Sequence, residues 1–379
     1  MQYRTLGRLN VKVSALGFGT MRLPTLGGVD ARIDEAQASE MMAYAFDHGV
    51  NYVDTAYPYH GGASEIFVGK VLSQGYREKV FLATKMPTWA VKEAADFDRL
   101  LDEQLQRLQT DHFDFYLLHC LHAGIWLRLR EMGVREWMER AKNDGRFRYA
   151  GFSFHDSTEA LRQILDDYDW PLCQIQYNYM NEDFQAGTEG LRYAVAKGVA
   201  VVIMEPLQGG GLAQLPEPAQ RLLDESGCGR TPADLALQWL WNKPEVSLVL
   251  SGMSNLQQVR ENVASAAHSG VGTLTQAELD LVGKLLKAFE GLRPIPCTQC
   301  RYCMPCPHGV DIPLNFRLYN DAKGYGPNSS LLSRNIYHML PAAVRSSACE
   351  DCGECEPKCP QKIEIPAWHR RAHKEFAGQ

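Results

Sequence analysis

The sequence predicts an α/β protein, a (β/α)8 barrel followed by a small C-terminal domain. Eight short apolar runs rich in Val, Ile and aromatic residues recur over the first 250 residues. They are nearly unbroken in hydrophobicity, as strands buried on both faces require. Amphipathic helical patterns separate them, and eight strands alternating with helices close into a barrel. Eight of the eleven cysteines fall after residue 296, behind the pattern-breaking GLRPIP. That shift places a domain boundary near 290, with a barrel over 1–290 and a second domain over 291–379.

YRTLGRLNVKVS comes first and reads as a hairpin with Gly7 near its turn, plugging the bottom of the barrel. The strand candidates are ALGFGT at 15–20, VNYVDTA at 50–56, VFLATK at 80–85 and DFYLLH at 114–119. YAGFS at 149–153, LCQIQYN at 172–178, VAVVIMEP at 199–206 and SLVLSG at 247–252 complete the set. IDEAQASEMMAYAFDHG is an amphipathic helix that ends at Gly49, and STEALRQILDDY and TPADLALQWLWN begin with capping residues. NLQQVRENVASAA and TQAELDLVGKLLKAFEG are two further helices. A doubly wound open sheet is the alternative, but no GxGxxG fingerprint follows the first strand.

The formal charge of -6 argues against a general nucleic-acid binder. The N-terminus lacks the apolar core of a signal peptide, and no apolar run suggests a membrane span. The expectation is a cytoplasmic protein with no membrane partner.

The tail holds two cysteine runs, CTQCRYCMPCP from Cys297 and CEDCGECEPKCP from Cys349. Each has three cysteines at C-x2-C-x2-C, then a fourth followed by proline. The segments after them match too, CPHGVDIP and CPQKIEIP, so the tail is an internal duplication with one extra residue in the second copy. A short loop with a cysteine at every third residue can wrap three corners of an iron–sulfur cube. The fourth ligand then comes from elsewhere, and the proline stops the chain from continuing as a helix. Two four-cysteine zinc sites are the alternative, although zinc ribbons separate two C-x-x-C pairs by a longer loop. His308 reads as a turn residue rather than a ligand.

The tail resembles bacterial-type ferredoxins over about 65 residues, in which the fourth cysteine of each run serves the other cluster. The resemblance implies two [4Fe-4S] clusters. One takes Cys297, Cys300, Cys303 and Cys359, and the other takes Cys349, Cys352, Cys355 and Cys306. The first run departs from the family pattern in having two residues, not three, before its last cysteine, and more than 40 residues separate the runs.

Functional residues of such barrels sit at the C-terminal ends of strands. There the sequence offers Asp54, Lys85 and His119, with Tyr57 and Tyr59 in DTAYPYHGGASE. Each alone could be structural, but together they make a proton donor. A phenol with a pKa of about 10 is a poor acid at neutral pH, and a neighbouring ammonium lowers that value. A carboxylate holds the ammonium charged and aimed, and an imidazole can hydrogen-bond the reacting oxygen.

The first 290 residues resemble the aldo-keto reductases through YRTLGRLNVKVSALGFGTMRLP, HGVNYVDTAYPYHGGASE, LATK, DFYLLH, GFS, PLCQIQYN, EPLQGG and VRENV. The resemblance implies a barrel enzyme that reduces carbonyls, or oxidises alcohols, with NADPH or NADH. Its tetrad maps onto Asp54, Tyr59, Lys85 and His119. Implied cofactor contacts are Thr20, Met21, Ser153, Gln174, Met204, Pro206, Leu207, Gly209, Gly211, Gly252, Gln258, Glu261 and Asn262. Phe154 and Met204 stand where the family has Asn and a stacking Tyr, and Gly252 and Gln258 stand where many members grip a 2′-phosphate with Lys and Arg. Tyr57, Trp89, Leu121 and His122 join Met21 as pocket candidates for a small carbonyl or alcohol.

Three functions follow as expectations. The first is a nicotinamide-dependent oxidoreductase carrying two clusters. The second is an enzyme that couples the barrel site to an electron-transfer protein through them, although hydride moves two electrons and a cluster one. The third is a non-catalytic redox-sensing module.

Overall fold

The computed structural model describes residues 1–297, 301–324, 327–359 and 361–377. The chain divides into two compact units, Met1–Pro206 with Asp234–Leu274, and Leu207–Ala233 with Thr275–Gln379. Packing thus divides the chain at other positions than the composition shift near 290.

The first unit contains a two-stranded antiparallel hairpin, β1 (Tyr3–Thr5) and β2 (Lys12–Ser14), then eight parallel strands. These are β3 (Leu16–Gly19), β4 (Tyr52–Asp54), β5 (Phe81–Met86), β6 (Phe113–Leu121), β7 (Phe147–Phe154), β8 (Leu172–Gln176), β9 (Ala200–Met204) and β10 (Leu248–Gly252). They close as a barrel in chain order, with β10 pairing β3 through Val249 opposite Leu16. All eight strands fall within the apolar runs read from the sequence, give or take two residues.

Helices begin where the capping chemistry indicates. Ser157 accepts from Ala160 N and opens Thr158–Asp167, and Asn255 accepts from Gln258 N and opens Leu256–Ala267. Helix Glu35–Asp47 is followed by Gly49 at φ +94°, the left-handed value that suits glycine.

The hairpin closes the N-terminal end of the barrel. Leu6 and Val13 are fully buried in one cluster with Tyr52, Leu172, Ala200 and Leu248, which begin their strands. Gly7 makes this seat. Its φ is +46°, and a Cβ there would lie 2.7 Å from Ala200 N and Gly198 O. With one end sealed, the strand C-termini form the open end, carrying Gly19, Asp54, Met86, Leu121, Phe154, Gln176, Met204 and Gly252.

The second unit joins helices Glu217–Ser226 and Gln276–Glu290 to the cysteine-rich segment. Thr275 and Glu278 cap the second of these helices reciprocally, and Arg230 Nε donates to Glu278 Oε1 at 2.5 Å. The duplication is visible in three dimensions. Gly309 N donates to Cys306 O at 3.0 Å and Lys362 N to Cys359 O at 3.1 Å, the same turn three residues on. Both donors are left-handed, at φ +83° and +52°. Each turn leads into a helix, Ile312–Gly324 or Ile365–Ala377. Val310 and Ile312 from one copy, and Ile363 and Ile365 from the other, share one buried cluster. No helix among the described residues is long and apolar enough to cross a membrane.

Substituting Gly7 by Ala forces a side chain against backbone atoms and strains φ. We expect a loss of about 2 kcal/mol or more in chemical denaturation. A variant as stable as the parent would overturn the account of the hairpin seat.

Candidate active site and cysteine-lined cavity

Lys85 is the centre of the open end. It is 1% exposed on β5, and its Nζ donates to Asp54 Oδ1 at 2.5 Å, to Thr55 O at 2.8 Å and to Tyr59 OH at 3.3 Å. Asp54 ends β4 at 3% exposure, and its second oxygen accepts from Gln174 Nε2 at 3.1 Å. Tyr59 opens a short turn in which His60, Gly61 and Gly62 all take positive φ, folding the chain back into helix Ala63–Leu72. His119 lies on β6 at 7% exposure, its ring edge-on to Tyr59 with centroids 6.0 Å apart and 5.2 Å from that of Trp89.

Tyr57 goes elsewhere. Its hydroxyl donates to Glu103 at 3.2 Å, and its ring lies under the Arg107 guanidinium at 4.0 Å, both on helix Ala95–Leu108. Of the two tyrosines in DTAYPYH, Tyr59 is the one brought to Lys85.

The electrostatics follow from burial. Burial pulls the Lys85 ammonium down, but Asp54 and the Tyr59 oxygen outweigh it and hold the group above its ordinary value. Burial pushes the Asp54 carboxyl up, against Lys85 and Gln174. Tyr59 corrects one expectation. Lys85 does pull its phenol down, yet burial pushes it up further, and the net direction is upward. Burial, and then the Lys85 charge, push His119 well below the ordinary histidine value, so its imidazole is neutral. Its Nδ1 is buried without a partner.

The expected cofactor contacts divide between the units. Thr20 N and Oγ1 both donate to Asp54 O at 3.0 Å, and Met21 beside it is exposed. Ser153 and Gln174 face each other across the β7–β8 ladder, and Ser153 Oγ accepts from Cys120 N at 2.8 Å. Met204 ends β9, followed by buried Pro206. Gly252 is exposed, and a Cβ on it would touch the Arg22 stem at 3.4 Å. Gln258 Oε1 accepts from Ser254 N, Glu261 Oε1 from Gln257 Nε2, and Asn262 Nδ2 donates to Ser251 Oγ. Leu207, Gly209 and Gly211 belong to the second unit, where Gly209 sits at φ +68° in the turn Gln208–Gly210.

Two residues of the open end escaped the sequence reading. Cys120 and Glu205 hold left-handed backbone, at φ +52° and +56°, rare for side chains of their kind. Burial raises the Cys120 thiol to about 11, with Lys85 opposing it. Burial raises the Glu205 carboxyl to about 7, with Arg22 opposing it. The one available signal for Glu205 was a carboxylate directly after an apolar strand.

In the second unit, Cys306 meets Cys349, Cys352 and Cys355 around one cavity, whose wall also includes Cys303, His308 and His369. Cys306 comes from the first run and the other three from the second. Cys297, Cys303 and Cys359 pack with the Val310–Ile365 cluster. Cys300 lies outside the described residues. Among the described residues no three His, Cys, Asp or Glu side chains converge on a point that would hold a single metal ion.

Residues 15–281 match the model of the aldo/keto reductase family, and residues 296–364 match that of a 4Fe-4S dicluster domain. L-galactose dehydrogenase from Arabidopsis thaliana is 30% identical over 315 residues, covering 77% of this chain and 96% of that protein. NADH-specific methylglyoxal reductase from Escherichia coli is 24% identical over 328 residues, covering 75% and 98%. The structure of an aldo-keto reductase from Klebsiella pneumoniae in complex with NADPH superimposes with a TM-score of 0.60 at 26% identity, covering 76% of this chain and 96% of that one.

Glu205 generates a pH prediction. Its carboxyl stands at about 7 in the folded state against 4.5 ordinarily, so the folded chain binds the extra proton between those values. Stability therefore falls as pH rises through that window, by about 1–3 kcal/mol in all. Glu205→Gln should raise Tm at pH 8 relative to the parent, and the gain should shrink toward pH 5. Equal shifts at both pH values would refute the assignment.

Proposed function

Because the chain belongs to the aldo/keto reductase family, we propose that it reduces a small carbonyl compound, or oxidises the matching alcohol, with Tyr59 as the proton donor. The observation that carries this reading is the Lys85 ammonium, which holds Asp54 on one side and the Tyr59 oxygen on the other. A bound nicotinamide dinucleotide supplies the hydride. In the reducing direction Tyr59 gives its proton to the carbonyl oxygen as hydride reaches the carbon, and Lys85 takes up the charge left on the phenolate. The raised phenol keeps its proton in the resting site, and Lys85 stabilises the phenolate where the charge develops. Neutral His119 offers an N–H to the same oxygen. Trp89 beside His119 gives the site an apolar wall, which suits a small organic carbonyl.

The rim fits a dinucleotide. Ser153 accepts a hydrogen bond from Cys120 and retains its own proton for a carboxamide. Gly252 and Gln258 bring no charge to the adenosine end, whereas the Arg22 stem lies against Gly252. Either NADPH or NADH is compatible with that arrangement.

The tail we read as a domain over 291–379 that holds two [4Fe-4S] clusters. The cavity shared by Cys306 with Cys349, Cys352 and Cys355 supports the crossed ligand set for one of them. Cys297, Cys300, Cys303 and Cys359 form the other. A donor set made of thiolates suits iron–sulfur chemistry and a reducing, cytoplasmic compartment. One-electron clusters imply a redox protein as partner.

Tyr59→Phe should lower carbonyl reduction by about 10²–10⁴-fold while dinucleotide binding, followed by fluorescence, is retained. Full activity would overturn the assignment of the donor. Anaerobically purified protein should carry about eight irons per chain, four per cluster. A preparation containing zinc and no iron would refute the cluster reading.

A further inference from the structure

His369 has no place in either reading above. It sits on helix Ile365–Ala377, is 1% exposed, and lines the same cavity as Cys306, Cys349, Cys352 and Cys355. Its ring packs on Phe316 with centroids 4.8 Å apart. Nδ1 lies 2.9 Å from Ser346 Oγ. Nε2, on the other edge, is buried with no partner.

The partners of Nδ1 are held firmly. Asn315 Nδ2 donates to Asp311 O at 2.7 Å and Val344 O at 2.9 Å, which fixes which end of the amide is oxygen. That oxygen already accepts from Ser346 N at 2.8 Å. The Ser346 hydroxyl also lies 3.0 Å from it, so its one proton has two acceptors in reach, Asn315 Oδ1 and His369 Nδ1. The two choices set opposite tautomers of the imidazole. If Ser346 donates to Nδ1, the ring proton sits on Nε2, on the edge away from Ser346. If it donates to Asn315, Nε2 is a bare lone pair. The cavity wall is rich in sulfur, and thiolates and sulfides are acceptors only. A bare nitrogen would meet lone pairs, whereas an N–H would meet partners.

We propose that Ser346 fixes His369 as the Nε2–H tautomer and that this N–H donates a hydrogen bond to a sulfur of the cluster bound by Cys306, Cys349, Cys352 and Cys355. The inference rests on the cluster reading above. His369 is a positioning and tuning residue, not a ligand. A hydrogen bond to sulfur offsets negative charge on the cluster, so it favours the reduced form and raises the potential. The duplication gives this ring no counterpart. The second-copy helix carries IPAWH after its turn where the first carries IPLNF, so Phe316 occupies the position matching His369. The two clusters are therefore made unequal by one residue.

The test is an anaerobic redox titration followed by EPR on the full-length protein, with iron counted in each sample. With about eight irons present, His369→Phe should move one midpoint to more negative potential and leave the other in place. His369→Gln, which keeps a side-chain N–H, should restore part of the shift, and Ser346→Ala should move the same midpoint in the same direction. Both midpoints unchanged in iron-replete His369→Phe would overturn the proposal. Should that variant not fold or not retain its clusters, pulsed EPR of the His308→Gln protein labelled with 15N-histidine decides, since His308 lines the same cavity. A 15N coupling to one reduced cluster is expected, and its absence overturns the proposal. A parent protein without iron would instead bring down the cluster reading itself, an outcome the iron count separates from the others.

Discussion

A charged ammonium buried at the mouth of a barrel is the constraint around which the first unit is arranged. Removing Lys85 from water costs several kcal/mol unless its protons are satisfied. Three acceptors from neighbouring chain segments do so: Asp54 at the end of β4, Thr55 O just after it, and Tyr59 in the turn beyond. Asp54 is itself tied to Gln174 on the far side of the barrel. Loss of Asp54 would leave an uncompensated charge and loss of another acceptor an unsatisfied N–H, so the geometry of the site and the stability of the open end are one problem. Burial that raises the Tyr59 phenol and the ammonium that opposes it are likewise inseparable.

Much of this was legible in the residues. Alternation of apolar runs with capped helices identified all eight barrel strands, because strands buried on both faces leave an unbroken apolar signature. Strand ends named Asp54, Lys85 and His119. Distinguishing Tyr59 from Tyr57 by residue chemistry alone was not feasible, because the decision lies in the left-handed turn at His60–Gly62 and in Arg107, nearly 50 residues on. Glu205 and Cys120 were opaque for a related reason. Their position depends on positive φ, and neither side chain advertises that conformation as glycine does. The net direction of the Tyr59 shift was also hidden, since spacing reports the neighbouring charge and says nothing of burial depth.

The second unit shows a different economy. A repeated segment provides two copies of one turn, each carrying its last cysteine, each left-handed three residues on, and each feeding two aliphatic side chains into a common core. Repetition gives symmetry in packing at once. Asymmetry must then be written in single residues, and the pair Phe316 and His369, packed against one another, is where the copies diverge in chemistry.

The sealing hairpin has a consequence for how the chain comes into being. Its seat is formed by Ala200 and Gly198, and β3 finds its second neighbour only in β10. The hairpin, made long before its seat, is thus among the last segments to find its place. Until about residue 250 has been made, β3 waits with an unpaired edge, and the apolar faces of Leu6 and Val13 wait with it. Contacts so distant in sequence slow closure and lengthen the time an edge stays open to wrong partners. Holding that first segment to two three-residue strands keeps small the surface left exposed while it waits.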